Sequence, residues 1–212
     1  IEERTGVKQR HLMKNETTAT MATEAAKRAV ENAGIKPEEI DVIVVSTVSS
    51  NLILPNTACF VQEQIGAINA FCFDINTACT GFMMAYNTVQ SYINSGLVKT
   101  ALIIGAEGLS RIVDWSDRGT CILFGDGAGA AIVKASEAAV FETVMKSDGR
   151  KGSALTCYNG FATRPRKIFT EEKQEISDIY EKTNGQESSD TFVKMDGQEI
   201  FRFAVKEVPK CI

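Results

Sequence analysis

Histidine and tryptophan occur once each in this 212-residue sequence, as His11 and Trp115, and proline only four times. With one histidine and no Cys-x-x-Cys pair among six cysteines, the ligand spacing of a structural zinc site is missing. No run of about 18 apolar residues occurs, so no membrane-spanning helix is expected. A basic run is also missing. The 23 Lys and Arg against 27 Asp and Glu leave a formal charge of −4, which argues against a broad nucleic-acid footprint. No stretch reads as a signal peptide. The cysteines (Cys59, Cys72, Cys79, Cys121, Cys157 and Cys211) include several in apolar stretches, where a free thiol behaves as a small buried hydrophobe. That usage reads as a reducing, cytoplasmic compartment.

What is present is an ordinary globular composition. Hydrophobic residues make up 44% and charged residues 24%, which excludes disordered and fibrous classes. The length corresponds to about one and a half domains. Residues 17–33 carry small and apolar side chains at helical spacing, with Gly34 as a stop and Pro37 beyond. Residues 41–48 form a β-branched run suited to a buried parallel strand. A short helix over 56–65, a strand over 70–75, a helix over 77–94 and a strand over 100–105 follow. Two further strands are expected at 121–124 and 128–133. Alternation of buried strands with helices is the signature of a sheet with crossover helices. We therefore expect an α/β fold with a mixed five-stranded sheet and a largely buried helix starting near Cys79.

Beyond about residue 147 the pattern weakens, and 171–190 is charged and polar enough to read as a surface insertion. The expected organisation is a half-domain over 1–147, a loop or insertion region over 148–194, and the start of a second half over 195–212. In that last stretch Ile200, Phe201, Ala204, Val205 and Val208 share one helical face, interrupted by Pro209. The chain opens at Ile1 without a helix start signal and ends inside a periodic stretch, which reads as one part of a longer protein, truncated at both ends.

The segment richest in chemistry is Asp74-Ile-Asn-Thr-Ala-Cys-Thr-Gly-Phe82. It sets Cys79 at a strand-to-helix junction, where unpaired backbone N–H groups and the positive end of the helix dipole converge. A negative charge on sulfur there is stabilised by up to about 2 kcal/mol. The same N–H groups suit the oxyanion of a thioester under attack. On spacing alone Cys79 stays open between a reactive thiol and a small residue packed under a helix. The other five cysteines read as inert.

This segment resembles the nucleophile segment of β-ketoacyl-ACP synthase III, the thiolase-fold condensing enzyme that starts bacterial fatty-acid synthesis. Three more stretches resemble the family in order and spacing. Arg4-Thr-Gly-Val-Lys-Gln-Arg-His11 is similar to its RTGIxxRH run. Asp117-Arg-Gly-Thr-Cys-Ile-Leu-Phe-Gly-Asp-Gly-Ala-Gly-Ala130 is similar to its DRGTxxxFGDGAGA run. Met195-Asp-Gly-Gln-Glu-Ile-Phe-Arg-Phe-Ala204 resembles the start of its second half.

The resemblance implies a thiolase-like layered α/β fold and a homodimer. It also implies an acyltransferase that moves an acyl group from acyl-CoA to Cys79 and condenses it with malonyl-ACP. A thiolate suits both steps, because it attacks well and leaves well. No cofactor is implied, since CoA thioester and acyl carrier protein are substrates. Arg4 and Arg118 match arginines that engage the nucleotide end of CoA, work suited to a group that pairs with phosphate and stacks on adenine. Without the resemblance both read as solvated surface charges. Leu54 matches a dimer-interface position reaching the partner's acyl pocket, against the alternative of a core leucine. His11 matches a family histidine beside the arginine run and reads as structural.

The sequence also departs from the family. The His and Asn that polarise the malonyl thioester come from the family's second half, and neither is present. The glycine-rich strand near the family's C-terminus and the upstream aromatic that stacks on CoA are missing too. Slow acylation and no condensation are the expectation for these 212 residues alone. Three other readings stay open: a polyketide-type or acyl-transferring relative, a non-catalytic dimerisation or binding module, and a nucleotide module with Gly125-Asp-Gly-Ala-Gly-Ala as phosphate cradle. The last requires a helix opening at the glycines, whereas Ala131-Ile-Val-Lys134 continues as a strand.

Overall fold

The computed structural model describes residues 1–136, 143–157 and 191–211. They fall into two compact units, one of Ile1–Arg111 with Leu123–Val144, the other of Ile112–Ile122 with Met145–Ile212. The insertion expected at 171–190 lies outside the described residues.

In the first unit, β1 (Val42–Ser46), β2 (Phe71–Ile75), β3 (Thr100–Gly108) and β4 (Asp126–Lys134) form one sheet in the order β2-β1-β3-β4. Strand β1 is parallel to both neighbours, with Val44 opposite Phe73 on one side and Ile103 on the other. Strand β4 runs antiparallel to β3. Because side chains alternate along a strand, the β-branched run of β1 serves both faces. Ile43 and Val45 join one core with Leu102 and Ile104. Val42 and Val44 join the other with Ala101 and Ile103.

Helix α1 is a single turn, Glu2–Thr5, closed by Gly6 at φ 72°, where the sequence carries no start signal. Helix α2 (Thr18–Ala33) is capped by Thr17, whose hydroxyl accepts from the Thr20 N–H, and it stops at Gly34 with φ 63°. Helix α3 (Thr57–Ile65) is capped by Asn56 and stops at Gly66. Ala22, Ala26 and Val30 of α2, with Ala58 and Val61 of α3, pack on the Ile43 face. Helix α4 (Gly81–Asn94) covers the opposite face through Ala85 and Val89. The chain leaves β1 through α3 to reach β2 on one side, then returns through α4 to β3 on the other. Right-handed crossovers in opposite directions require opposite faces.

Two expectations are corrected here. The stretch 121–124 is turn rather than a fifth strand, and among the described residues this sheet has four strands. Asp117 is the cause. Its carboxylate accepts from the Gly119 N–H at 2.8 Å and the Thr120 hydroxyl at 2.7 Å, and its carbonyl accepts from the Cys121 N–H at 3.0 Å. That winds the chain where its apolar run alone suggests an extended strand. Helix α4 is also less buried than expected. Gly81, Ala85 and Val89 are buried, while Phe82 and Met83 are 40% and 54% exposed. Ala85 and Val89 form the buried contact with the sheet, and Tyr86, Tyr92 and Ile93 pack partly buried beside them.

The second unit contains a two-stranded antiparallel ribbon, β5 (Leu155–Thr156) with β6 (Lys194–Met195). Helix α5 (Gly197–Glu207) follows, capped by the Asp196 carboxylate, which accepts from the Gln198 and Glu199 N–H groups. A 3-10 turn, Val208–Cys211, follows it. The Lys151 ammonium pairs with Glu199 across to this helix. Among the described residues no helix is long and apolar enough to cross a membrane.

Candidate active site

Cys79 is exposed on a 3-10 turn, Ala78–Thr80, wedged between the end of β2 and the start of α4. The sequence reading runs the helix from residue 77, but Ala78 has φ 46° and breaks the helical backbone there. A left-handed conformation costs a residue with a Cβ roughly 1–2 kcal/mol. Such strain persists where the surroundings fix it, and it clusters at functional sites. Both ends of this elbow are fixed. The Thr47 N–H donates to the Ile75 carbonyl at 3.2 Å, holding the β2 end. At the α4 end, a Cβ on Gly81 would lie 1.7 Å from Ser46 Oγ, so only glycine lets the helix approach β1 this closely. Within the elbow, the Thr80 N–H and hydroxyl both donate to the Thr77 carbonyl, at 3.2 and 3.0 Å. No side chain caps the 3-10 turn or α4, and the Gly81 N–H donates to the Ala78 carbonyl across the turn that carries Cys79.

The loop after β1 is held at both ends by carboxylates. Glu107, at the end of β3, accepts from the Val48 N–H at 2.9 Å, the Ser49 hydroxyl at 2.6 Å and the Thr47 hydroxyl at 3.4 Å. Burial raises the Glu107 carboxyl above its ordinary range, and these donors partly oppose the shift. Ser49 Oγ in turn accepts from the Gly108 N–H at 2.7 Å. At the far end, the Asp74 carboxylate accepts from the Thr57 and Ala58 N–H groups, both at 2.8 Å. Between these anchors Leu54 is 84% exposed, so it is not a core leucine, and Leu52 and Ile53 beside it are exposed as well. The Leu54 loop and the Cys79 elbow thus follow the C-terminal ends of adjacent parallel strands. Open α/β sheets bind their ligands at that rim.

The other residues singled out from the sequence lie elsewhere. Arg4 falls in α1. Arg118 is exposed in the turn organised by Asp117, within the second unit. His11 is exposed, and its carbonyl accepts from the Asp126 N–H at 2.8 Å. The Asp126 carboxylate then takes the Met13 N–H at 2.7 Å, the Ser110 N–H at 2.8 Å and the Ser110 hydroxyl at 2.6 Å. Gly127 and Gly129 lie within β4, and no helix opens at them, which removes the phosphate-cradle reading. Cys59 and Cys72 face each other between α3 and β2, and burial pushes the Cys72 thiol up to about 12. Sequence reasoning missed Glu107, Asp74 and Asp126. Glu107 carried only the signal of a lone acid at the end of an apolar strand, while Asp74 and Asp126 lay inside quoted motifs without a role assigned to them.

A sequence model of the 3-oxoacyl-[acyl-carrier-protein (ACP)] synthase III family matches residues 73–149, a span that includes Cys79 and Arg118. Over 207 residues the chain is 47% identical to the β-ketoacyl-[acyl-carrier-protein] synthase III of Clostridium acetobutylicum, covering 97% of this chain and 59% of that protein. The chain is similar in sequence to the β-ketoacyl-ACP synthases III. It spans about three fifths of the length of the curated relatives it matches. Among solved structures, the 3-oxoacyl-ACP synthase III of Aquifex aeolicus superposes with a TM-score of 0.73 at 37% identity, over 99% of this chain and 59% of that one. The priming β-ketosynthase of the R1128 polyketide pathway superposes with a TM-score of 0.80 at 31% identity, over 98% and 59%. The fold shared with these synthases is the thiolase-like α/β fold.

Proposed function

We propose that the chain is the nucleophile-bearing part of a condensing acyltransferase, with Cys79 as the residue that carries the acyl group. In the first step the Cys79 sulfur attacks the thioester carbon of an acyl-CoA, and free CoA leaves with a proton on its sulfur. In the second, malonyl-ACP loses carbon dioxide, and the carbanion equivalent attacks the acyl-cysteine carbonyl. A β-ketoacyl-ACP is released and the thiol of Cys79 returns. The observation that carries this reading is an exposed cysteine on a strained turn at the uncapped start of α4. Backbone amides there suit the tetrahedral oxyanion of each step.

Arg4 and Arg118 are assigned to the nucleotide end of CoA, where a guanidinium pairs with phosphate or stacks on adenine. Leu54 is assigned to the partner's acyl pocket in a homodimer, a reading supported by the exposed apolar tip Leu52-Ile53-Leu54. The reaction needs no cofactor, because CoA and acyl carrier protein enter as substrates. The setting proposed is the cytoplasm, and the pathway is the start of fatty-acid synthesis. The His and Asn that assist decarboxylation in the family are assigned to a part of the protein beyond these residues.

The likeness to the R1128 priming enzyme favours one second reading, a polyketide-type priming ketosynthase. Product analysis of the full-length enzyme with acetyl-CoA and malonyl-ACP tests both. Acetoacetyl-ACP as the main product supports the fatty-acid reading. Turnover only with other acyl starters supports the second, and no β-ketoacyl product from any starter overturns both.

A further inference from the structure

Glu107 is a half-buried carboxylate that no step above uses, and its contacts lead to both ends of the Cys79 elbow. Its two oxygens accept from three consecutive residues, Thr47, Val48 and Ser49. Ser49 Oγ is further tied to the Gly108 N–H, and the Ser49 carbonyl accepts from the Thr18 hydroxyl at 2.8 Å. One carboxylate therefore fastens the strand end at 46–49 to the end of β3. That strand end is what the elbow rests on: Thr47 donates to Ile75 before Cys79, and Ser46 abuts Gly81 after it. Ser46 and Thr47 are themselves only 4% and 5% exposed, so a displacement there passes to the elbow rather than into solvent. The crossovers after β1 and β2 go to opposite faces, so the strand end that Glu107 holds borders the place at which such sheets form their crevice.

We propose that Glu107 is a positioning residue for Cys79, fixing the two supports between which the strained turn is held. This deepens the acyl-cysteine reading and rests on it for its kinetic consequences, whereas the geometry of the elbow is read independently by a small alkylating reagent. Removing the acceptor leaves the Val48 N–H and two hydroxyls to find other partners, and the strand end is then free to shift. Displacement of a reacting group by about 1 Å is worth up to about 100-fold in rate.

The test uses the full-length enzyme and Glu107→Ala, Glu107→Asp and Glu107→Gln. Iodoacetamide labelling is read by peptide mass at Cys79 and, as an internal control, at the exposed Cys157. Kinetics with acetyl-CoA are measured alongside. For Glu107→Ala, Cys79 labelling should slow by about tenfold with Cys157 unchanged, and kcat should fall by about tenfold or more with KM within about threefold. Glu107→Gln keeps an acceptor for the Val48 N–H and should recover both to within about threefold. Should Glu107→Ala fail to fold, Glu107→Asp decides the matter, since its shorter side chain does not reach the Val48 N–H and should slow Cys79 labelling. Labelling at the parent rate or faster in the folded Ala or Asp variant overturns the proposal, as does a Gln variant as slow as Ala. If the parent enzyme accepts no acetyl group at all, the acyl-cysteine reading fails while the labelling comparison still judges Glu107.

Discussion

At Gly81 the chain has no room for a methyl group. A Cβ there would stand 1.7 Å from Ser46 Oγ and 2.9 Å from Ser46 Cβ, both atoms of a buried residue at the end of β1. Overpacking of this kind costs about 1–3 kcal/mol, so Gly81→Ala should lower the thermal midpoint by several degrees, as read by circular dichroism. Ser46→Ala added to Gly81→Ala removes the nearer contact and leaves the other, so it should recover part of the loss. An unchanged midpoint in Gly81→Ala would mean that α4 does not approach β1 as closely as described. The residue scale also shows what a sequence conveys and what it conceals. The Cys79 segment was legible because strand, small residues and helix follow one another in order. Ala78 was not, because a positive φ at a residue with a Cβ is imposed by neighbours distant in sequence. Glu107 and Asp126 were hidden for the same reason: their partners lie 58–60 and 16–113 residues away.

Among the elements, α2, α3 and the strands of the parallel core were readable, since capping residues, glycine stops and β-branched runs are local signals. The element misread as a strand, 121–124, failed because Asp117 overrides an apolar run with side-chain and backbone acceptors. The packing of α3 against β2 yields a prediction at this scale. Burial first, then neighbouring Cys59, pushes the Cys72 thiol from its ordinary 9.0 up to about 12. A thiol raised in the folded state stays protonated there while the unfolded chain gives up its proton. Its contribution is therefore intact below about pH 9 and is lost as pH climbs toward the folded value. Urea unfolding between about pH 8 and pH 10.5 should show falling stability, and Cys72→Ala should flatten that slope. Equal slopes in parent and variant would place Cys72 in a solvated setting instead.

For the molecule as a whole, the account turns on chemistry at a single sulfur supported by a mixed sheet covered on both faces. The sheet core holds β1, the loop after it carries Leu54, and the turn after β2 carries Cys79, all at one rim. The roles proposed for Arg4, Arg118 and the exposed apolar tip concern what the acyl group arrives on and what covers it. Those assignments fall if the sulfur is not the acceptor. The direct measurement is peptide mass analysis of the full-length enzyme after incubation with acetyl-CoA alone. The account predicts one acetyl group per chain, on the peptide containing Cys79, removable by hydroxylamine. An unmodified Cys79 peptide, or the acetyl group on Cys121, would contradict it.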